Sequence, residues 1–366
     1  MQLKMGDICN KKECTSCGVC TTVCPQSCIT IVNDNIGHKV PFVDRERCIS
    51  CGICKRYCHN NRQVKLHAPL QCYAMRYQGR QLEKSTSGGI SYLLSSYFIK
   101  RNGIVYGAAF ENGEVSHIRI DDVSKLERIQ GSKYVRSIIY SNILEQIQID
   151  TLSGKQVLFT GTACQIAAVK SFMKRDYQNL LYLEILCHGT PPSSYLGEYY
   201  CNYVDVTPTS IKFRNKEQYI FEVYFEDKIV LSQNLRDSMY IQGFLHDIIL
   251  DPSCYNCKYV GEKRVGDIAV GDFWGYSIDG LPCSAVLVNN TNGEKRLLEI
   301  IDDCVWIKTK FECIAQSNKP LRDSAKENFF SEVFQRLYPK FGFQVALNVA
   351  TIHHRIKNML LKLLRK

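Results

Sequence analysis

Two runs of the sequence share one cysteine spacing: Cys14-Thr-Ser-Cys17-Gly-Val-Cys20-Thr-Thr-Val-Cys24-Pro25 and Cys48-Ile-Ser-Cys51-Gly-Ile-Cys54-Lys-Arg-Tyr-Cys58. In each run, the Cys-x2-Cys-x2-Cys part lets one turn of backbone supply three thiolates to a 4Fe-4S cluster, while the fourth cysteine reaches the other cluster. The spacing therefore predicts a ferredoxin-like module with two clusters over residues 1–66, with short strands at 29–32 and 39–43. The expected ligands are Cys14, Cys17, Cys20 and Cys58 for the first cluster, and Cys48, Cys51, Cys54 and Cys24 for the second.

The alternative for these cysteines is structural zinc, because paired Cys-x2-Cys elements also form zinc sites. A zinc site uses two such pairs, whereas each run here has four cysteines in ferredoxin spacing and a glycine, Gly18 or Gly52, where the loop passes close to a cluster. Iron–sulfur is therefore favoured. His59 stands where the second run would repeat the proline, which bears on the packing of the turn more than on ligation.

The size and composition of the chain limit the remaining possibilities. Its 366 residues suffice for two or three domains with their own cores. The 19 cysteines, with no apolar signal segment and no apolar run of 18 residues, predict a cytoplasmic protein whose thiols bind metals or lie buried. The formal net charge is +10, but each oxidised cluster with its four thiolates carries about −2. No aromatic and basic stripe accompanies the charge, so nucleic-acid binding is not expected.

After a polar segment at 67–84, which we expect to be a linker, helices and strands alternate. The pattern predicts helices over 90–100, over 165–174 and from about Ser194, and strands over 103–110, 157–161 and 180–186, within 209–232 and within 265–290. The expected fold class is α+β. The ferredoxin-like module at 1–66 precedes a mixed α/β domain, divided here into 67–152 and 153–320, and a basic tail at 321–366.

Four further cysteines lie in loops that are far apart in the sequence: Cys164, Cys187, Cys254 and Cys257. Loops at strand ends are common places for a cofactor. A single such cysteine is more often a buried apolar residue. Four of them, including a Cys-x2-Cys pair, predict a third metal site, although Cys254 and Cys257 alone would also fit half of a structural zinc site.

Three loops of small residues carry hydrogen-bond donors. Ser85-Thr-Ser-Gly88-Gly89 directly precedes the helix at 90, and its backbone N–H groups, hydroxyls and glycines suit a phosphate, or alternatively form an ordinary helix cap. Gln130-Gly-Ser-Lys133-Tyr-Val-Arg136 and Thr160-Gly161-Thr162 have similar donors. No Gly-x-Gly-x-x-Gly occurs, so a Rossmann dinucleotide fold is not indicated.

In this order, the motifs resemble those of the beta subunits of coenzyme F420-reducing hydrogenases and dehydrogenases. The matching elements are Ser87-Gly-Gly, Gly131-Ser-Lys-Tyr-Val, Lys155-Gln-Val-Leu-Phe-Thr-Gly-Thr-Ala-Cys-Gln-Ile-Ala, Cys187-His-Gly, the Cys254/Cys257 pair and Gly266-Asp-Ile-Ala-Val-Gly-Asp-Phe-Trp-Gly. Ala163 departs from the family, which commonly has proline at this position. Short bacterial members, often associated with surface-polysaccharide biosynthesis, resemble this chain most in length.

The resemblance implies an FAD-dependent iron–sulfur oxidoreductase of the cytoplasm that couples a ferredoxin-like carrier to an organic substrate, with coenzyme F420 among the candidates. It implies a third 4Fe-4S cluster on Cys164, Cys187, Cys254 and Cys257, near the flavin. The implied FAD-binding residues are Ser87, Gly88, Gly89, Gly131, Ser132, Lys133, Tyr134, Thr160, Gly161, Thr162 and Gln165. The alternatives are an electron-transfer subunit that docks on a partner enzyme and a scaffold that has lost its flavin.

Three more features have more than one interpretation. His188 is a candidate proton donor near the flavin, or a loop histidine that only makes structural hydrogen bonds. Asp267 and Asp272 bind FAD hydroxyls or a metal, or cap turns. The segment 345–366 is predicted to be a helix with an apolar stripe and a cationic opposite face, which either packs on the protein core or lies on an anionic membrane surface.

Overall fold

The computed structural model of the chain describes residues 8–215 and 218–353. The strands are β1 Ile29–Asn33, β2 Lys39–Val43, β3 Gln71–Tyr77, β4 Ile104–Glu111, β5 Glu114–Ile120, β6 Val157–Thr162, β7 Leu180–Ile185, β8 Ser210–Asn215, β9 Gln218–Phe225, β10 Lys228–Asn234, β11 Ile268–Ile278, β12 Leu281–Val288 and β13 Cys304–Thr309. The α-helices are α1 Val19–Thr22, α2 Ile53–Tyr57, α3 Ile90–Lys100, α4 Ser141–Leu152, α5 Ala163–Met173, α6 Ser193–Tyr200, α7 Met239–Leu245, α8 Pro252–Tyr255, α9 Thr291–Leu298, α10 Phe311–Ser317 and α11 Phe329–Ala350.

The N-terminal module consists of two short helices beside an antiparallel pair of strands. β1 pairs with β2 in a register that places Ile31 opposite Pro41. α1 and α2 begin directly after Gly18 and Gly52, whose φ angles of 75° and 69° are left-handed. Glycine adopts this conformation without steric cost, which lets each cysteine loop turn sharply into its helix. The two strands lie where the sequence predicts them.

The rest of the chain is organised around a mixed sheet of eight strands in the order β13-β3-β12-β11-β7-β6-β4-β5. Its centre is parallel, because β4, β6, β7 and β11 run in the same direction, whereas the strands at both edges are antiparallel. Val157 and Phe159 of β6 pack towards α4 and α5, while Leu158 packs towards α3. Helices on both faces explain why β6 is apolar at consecutive positions. The prediction of a mixed α/β architecture is confirmed.

The prediction that residues 67–84 form a linker is wrong. Residues 71–77 form β3, which lies inside the sheet between β12 and β13. Cys72, Ala74 and Met75 are buried, but Gln71 and Arg76 interrupt the apolar pattern from which a buried strand would have been recognised. β3 is held by backbone ladders to strands that follow it by about two hundred residues in the chain.

A separate three-stranded sheet, in the order β10-β9-β8, packs against α6, α7 and α11. The core between them is aromatic: Tyr199 and Phe221 meet edge to face, with ring centroids 5.0 Å apart. This confirms the strands that the sequence predicts within 209–232.

α11 contains part of the predicted C-terminal helix. Its chain direction changes at Gly342, which has a φ of 76°, and beyond this point Phe343 and Leu347 are buried. Val345 and Val349 are nearly half exposed on the opposite face. Residues 354–366 of the predicted helix lie outside the described residues. Over 8–215 and 218–353, the helices lack the combination of length and apolar character that crossing a membrane requires.

A buried ion pair fixes the loop that leads into β11. Arg264 donates to Glu184 of β7 from Nε, at 2.8 Å, and from Nη2. The second carboxylate oxygen of Glu184 accepts hydrogen bonds from the backbone N–H groups of Val265 and Gly266, at 3.0 and 2.9 Å. Arg264 also donates to the carbonyl oxygens of Tyr259 and Gly261, so one charge pair shapes the whole segment 259–266.

We predict that Glu184→Ala destabilises the protein by about 3–5 kcal/mol, because it leaves Arg264 charged and buried without its carboxylate. Urea unfolding followed by circular dichroism measures the loss. The matched control is Glu332→Ala, which removes an exposed partner of Arg336 at 4.0 Å and should change stability by less than about 1 kcal/mol. Equal losses in the two variants would contradict the prediction.

Candidate functional site

The cysteines of the N-terminal module form two groups. Cys20 lies within electrostatic reach of Cys17 and Cys58, and Cys54 lies within reach of Cys24, Cys48 and Cys51. The last cysteine of each run thus sits with the first three of the other run, the exchange that double-cluster ferredoxins require. The assignment of iron–sulfur clusters to these groups stays a prediction.

Each group contains one cysteine in addition to the four ligands that the spacing predicts. Cys9 contacts the thiols of Cys14 and Cys58, and Cys28 lies 3.4 Å from Cys24, sulfur to sulfur. Neither cysteine belongs to a Cys-x2-Cys run. In the sequence, only the high total number of cysteines indicated that the groups could contain more than the eight expected ligands. A cubane takes four thiolates, which leaves one spare thiol beside each group.

The third set, Cys164, Cys187, Cys254 and Cys257, lines a narrow cavity of about 50 Å³. Cys164 lies in the first turn of α5, Cys187 follows β7, and Cys254 lies in α8. Burial raises the pKa of Cys254 to about 12 and that of Cys257 to about 11. Such thiols become thiolates when a cation binds them, so the donor set fits a metal centre.

The described residues, 8–215 and 218–353, contain no group of three or more His, Cys, Asp or Glu side chains gathered closely enough to hold a single metal ion. A cubane cluster spreads its four thiolates over four iron atoms, so its ligands lie farther apart than the ligands of one ion.

Arg136 connects the third set to the N-terminal module. Its guanidinium is 6% exposed and donates to the carbonyl oxygen of Thr15, to Ser253 Oγ at 3.2 Å and to Cys254 Sγ at 3.7 Å. Its Nε lies 3.3 Å from Oδ2 of the buried Asp251. Burial lowers the pKa of Arg136, but Asp251 and the neighbouring cysteines outweigh this and raise it overall, so the side chain is cationic. The sequence motif contained Arg136 without revealing this role.

His59 and Tyr259 form a second connection. His59 is 2% exposed; its Nδ1 lies 2.6 Å from the Tyr259 hydroxyl, and its Nε2 lies 2.8 Å from Thr15 Oγ1. Burial lowers the pKa of His59 to about 4, so the ring is neutral. Tyr259 lies within electrostatic reach of cysteines from both the first group and the third set, including Cys17 and Cys164. The residue that replaces the expected proline is therefore a contact between the two regions.

A larger cavity of about 560 Å³ adjoins the narrow one, and Cys187 lines both. This volume falls within the range of roughly 300–1,000 Å³ that is usual for cofactor pockets. Ten of the eleven residues implied for FAD line it: Ser87, Gly89, Gly131, Ser132, Lys133, Tyr134, Thr160, Gly161, Thr162 and Gln165. The two cavities share a wall that includes Arg136, Thr162 and the segment 187–190.

Gly88 is the implied FAD residue that does not line the cavity. It packs behind the wall, where a Cβ atom would lie 2.2 Å from the Met75 carbonyl oxygen and 2.5 Å from the Ser284 backbone nitrogen. Its N–H donates to Ser284 Oγ at 3.0 Å. The structure therefore explains this glycine by close packing of the loop on β3 and β12, rather than by approach to a phosphate.

The first turn of α3 faces the cavity through Gly89, Ile90 and Ser91. Gly89 has a φ of 78°, and no side chain caps the helix, so its positive end and its free N–H groups are available to an anion. Gln130 is also among the residues that line the cavity, and its buried Nε2 has no hydrogen-bond partner. An unpaired buried donor and an uncapped helix N-terminus in the lining of one cavity fit a bound anionic cofactor.

Lys133 extends into the same cavity and donates from Nζ to the carbonyl oxygen of Gln130 at 2.7 Å. The cavity removes the ammonium from bulk water, which lowers the pKa of Lys133 to about 7. A bound anion would favour the charged form.

Thr160, Thr162 and Gln165 line the cavity but also hold the protein together. Thr160 Oγ1 donates to the carbonyl oxygen of Tyr106, at 3.2 Å. Thr162 and Gln165 form the capping box of α5, in which Gln165 Oε1 accepts from the Thr162 N–H at 3.0 Å.

His188 lies in the shared wall of the two cavities. Its Nε2 is 2.7 Å from Asp247 Oδ1, and Lys319 Nζ donates to the other oxygen of Asp247 at 2.8 Å. Burial raises the pKa of Asp247, but His188 and Lys319 outweigh this and lower it overall. The histidine is therefore placed beside a carboxylate, at the point where the cysteine set meets the large cavity.

The two aspartates have different surroundings. Asp267 is buried outside the cavity, accepts from the Tyr182 N–H at 2.7 Å and from Asn290 at 2.7 Å, and therefore supports the fold. Asp272 lines the cavity and accepts from Arg214 at 2.6 Å. The Arg214 guanidinium also lies 4.9 Å from the centre of the Trp274 ring, which lines the cavity too.

Comparison with known proteins agrees with the family resemblance. Residues 154–310 match the family described as the C terminus of the beta subunit of coenzyme F420 hydrogenase/dehydrogenase, so the resemblance is confirmed over this segment. Among solved structures, a chain from the F420-reducing NiFe hydrogenase complex of Methanosarcina barkeri, in a xenon derivatization study, has 16% identity and a TM-score of 0.48, covering 80% of this chain and 91% of that chain. No curated protein matches the chain.

We predict that Tyr259→Phe lowers the free energy of unfolding by roughly 1–3 kcal/mol, because it leaves the buried Nδ1 of His59 without a partner. Urea unfolding of the anaerobically purified protein measures the change. Tyr276→Phe removes the hydroxyl of a 39% exposed tyrosine and serves as the control. If both variants unfold at the same urea concentration, the contact between His59 and Tyr259 does not stabilise the protein.

Proposed function

We propose that this chain, whose residues 154–310 match the beta-subunit family, passes electrons between a one-electron carrier and a two-electron organic partner by means of 4Fe-4S clusters and FAD. One observation carries the proposal: the third cysteine set is next to both the N-terminal cysteine groups and the large cavity. Tyr259 lies within electrostatic reach of Cys17 in the first group and of Cys164 in the third set, and Cys187 of the third set lines the large cavity. The family match supports an electron-transfer role of the oxidoreductase type.

The order of the groups follows from their neighbours. Cys54 of the second group lies within reach of Cys20 in the first, and Cys17 of the first lies within reach of Cys164 in the third. Cys187 of the third set also lines the large cavity. A cluster in each group would therefore form a line that ends at the cavity.

The residues of the cavity fit FAD. The uncapped first turn of α3 and the unpaired Gln130 suit the pyrophosphate, while apolar and aromatic residues such as Ile129, Tyr134 and Phe244 line other parts of the wall. Bound FAD would supply the two-electron chemistry with the organic partner and accept or give single electrons. Lys133 would provide a cation beside it, and His188 Nε2, next to Asp247, would hold or donate a proton.

Two alternative functions, an electron-transfer subunit and a scaffold, can be distinguished from this proposal by flavin content and turnover. An electron-transfer subunit would contain flavin and clusters but would turn over only with its partner enzyme, and a scaffold would contain no flavin. Turnover of the isolated chain with a reduced ferredoxin and candidate two-electron acceptors, coenzyme F420 among them, distinguishes the enzyme from the subunit.

We predict about 12 iron atoms per chain in anaerobically purified protein, because the three sets would each bind a 4Fe-4S cluster. Cys187→Ala should reduce this to about eight, since it removes a ligand of the third set alone. Cys201→Ala changes an exposed cysteine outside the sets and should keep the iron content of the unaltered chain. If the unaltered chain instead contained about eight iron atoms and one zinc, the prediction would be wrong, and the third set would be a zinc site.

We predict that FAD binds more weakly as the pH rises above about 7. Lys133 is cationic below this pH and neutral above it, so the attraction to an anionic cofactor is greatest on the acidic side. A hydrogen bond to a charged group contributes about 1.5–3 kcal/mol, so the affinity should fall roughly tenfold or more between about pH 6 and pH 9. Titration of flavin-depleted protein, followed by flavin fluorescence, measures the dependence.

Two variants test the role of Lys133 in this dependence. Lys133→Arg keeps the charge at every pH and should remove most of the fall in affinity, whereas Lys133→Met should bind FAD weakly throughout. Lys100→Met, at the exposed end of α3, should behave like the unaltered chain. A fall of the same size in Lys133→Met would assign the pH dependence to another group.

A further inference from the structure

We propose that the surface around Cys51 is the docking site of an acidic one-electron carrier protein, such as an acidic ferredoxin. This inference rests on the proposed function and specifies its partner. The surface is named the basic rim and comprises Arg45, Arg47, Lys55 and Arg56 around the cysteine loop.

Exposure identifies the place of electron entry or exit. Among the twelve cysteines expected to bind clusters, Cys51 alone is exposed, and the others are buried or partly buried. Electron transfer between proteins requires the two redox groups to approach closely, so the carrier must meet the chain where a cluster comes nearest to the surface. The second group, which contains Cys51, is also the group farthest along the line from the large cavity.

The charge of this surface is positive. Four basic residues and one acid, Glu46, lie within 45–56, and all five are exposed. Arg56 donates from Nη1 to the carbonyl oxygen of Cys51 at 3.1 Å, and Arg47 donates to the carbonyl oxygen of Gln26 at 2.9 Å. These contacts hold both guanidinium groups beside the cysteine loops without neutralising their charge. The rim would attract an acidic partner and repel a second copy of the same surface.

An apolar residue lies inside the rim. Ile49 is 62% exposed and stands between Cys48 and Ser50, which has a left-handed φ of 55°. Transient interfaces commonly combine an apolar centre with a polar, charged edge. Ile49 would provide a dry contact next to the cluster, and the rim would orient the carrier.

The test compares two double variants with equal changes of charge. Arg47→Glu/Lys55→Glu reverses two charges of the rim, whereas Lys308→Glu/Lys310→Glu reverses two exposed charges on β13 and after it, at the edge of the large sheet. Two readouts are used: affinity for an oxidised acidic bacterial ferredoxin with two 4Fe-4S clusters, and the stopped-flow rate of cluster reduction by that ferredoxin. Rates are taken relative to reduction by methyl viologen, which needs no protein interface.

The rim variant should lose about tenfold or more in affinity and in relative rate at low ionic strength, and the loss should shrink as salt screens the charges. The control variant should keep the values of the unaltered chain. Equal affinities and rates in the two variants, or a loss that does not depend on salt, would overturn the docking site.

Failure of the proposed function has a different signature. In that case methyl viologen would not reduce clusters or flavin in any variant, while the affinity measurement would still decide whether the acidic ferredoxin binds at the rim. Tight binding of ferredoxin that is unaffected by charge reversal in the rim would place the carrier elsewhere on the protein.

Discussion

The ion pair between Arg136 and Asp251 is the constraint on which the arrangement of the cysteine sets depends. Both side chains are nearly inaccessible to water, so each needs the other, and removing either would leave a buried charge unpaired. Arg136 also holds the Thr15 carbonyl, next to Cys14, and the sulfur of Cys254. Asp251 lies 3.3 Å from Nε2 of His38, which in turn lies 3.0 Å from the Cys14 carbonyl. One charge pair thus fixes the distance between the N-terminal module and the third cysteine set.

The opposite side of that set is held by the pair of Glu184 and Arg264. Arg264 fixes the carbonyl oxygen of Tyr259, whose hydroxyl meets His59 in the module. The segment 259–266 has few apolar residues to bury, so the buried charge pair and its hydrogen bonds define its conformation. Such order matters for a redox centre, because hydrogen bonds to the sulfurs, net charge and solvent exposure set the reduction potential of a cluster.

Positive charge is concentrated where the proposed cofactors carry negative charge. Arg136 lies beside Cys254, Lys133 lies in the large cavity, and the basic rim surrounds Cys51. Thiolate-bound clusters and FAD are anionic, so these side chains, which belong to the formal charge of +10, would compensate part of the charge of the proposed cofactors. The rim differs from the other two because its charges face solvent, where they act on a partner.

The sequence by itself determined the features of the protein that depend on residues close together in the chain. The spacing of each run sets which cysteines can share a turn, and the small-residue loops, which were singled out by their hydrogen-bond donors, contribute residues 131–134, 160–162 and 165 to the wall of the large cavity. The tertiary structure decided what depends on distant residues: β3 lies within the sheet, Gly88 packs against Met75 and Ser284, and His59 meets Tyr259, two hundred positions away. Strand order and register create these contacts, and no local pattern records them, because burial and pairing at such positions are set by whichever distant strand lies alongside.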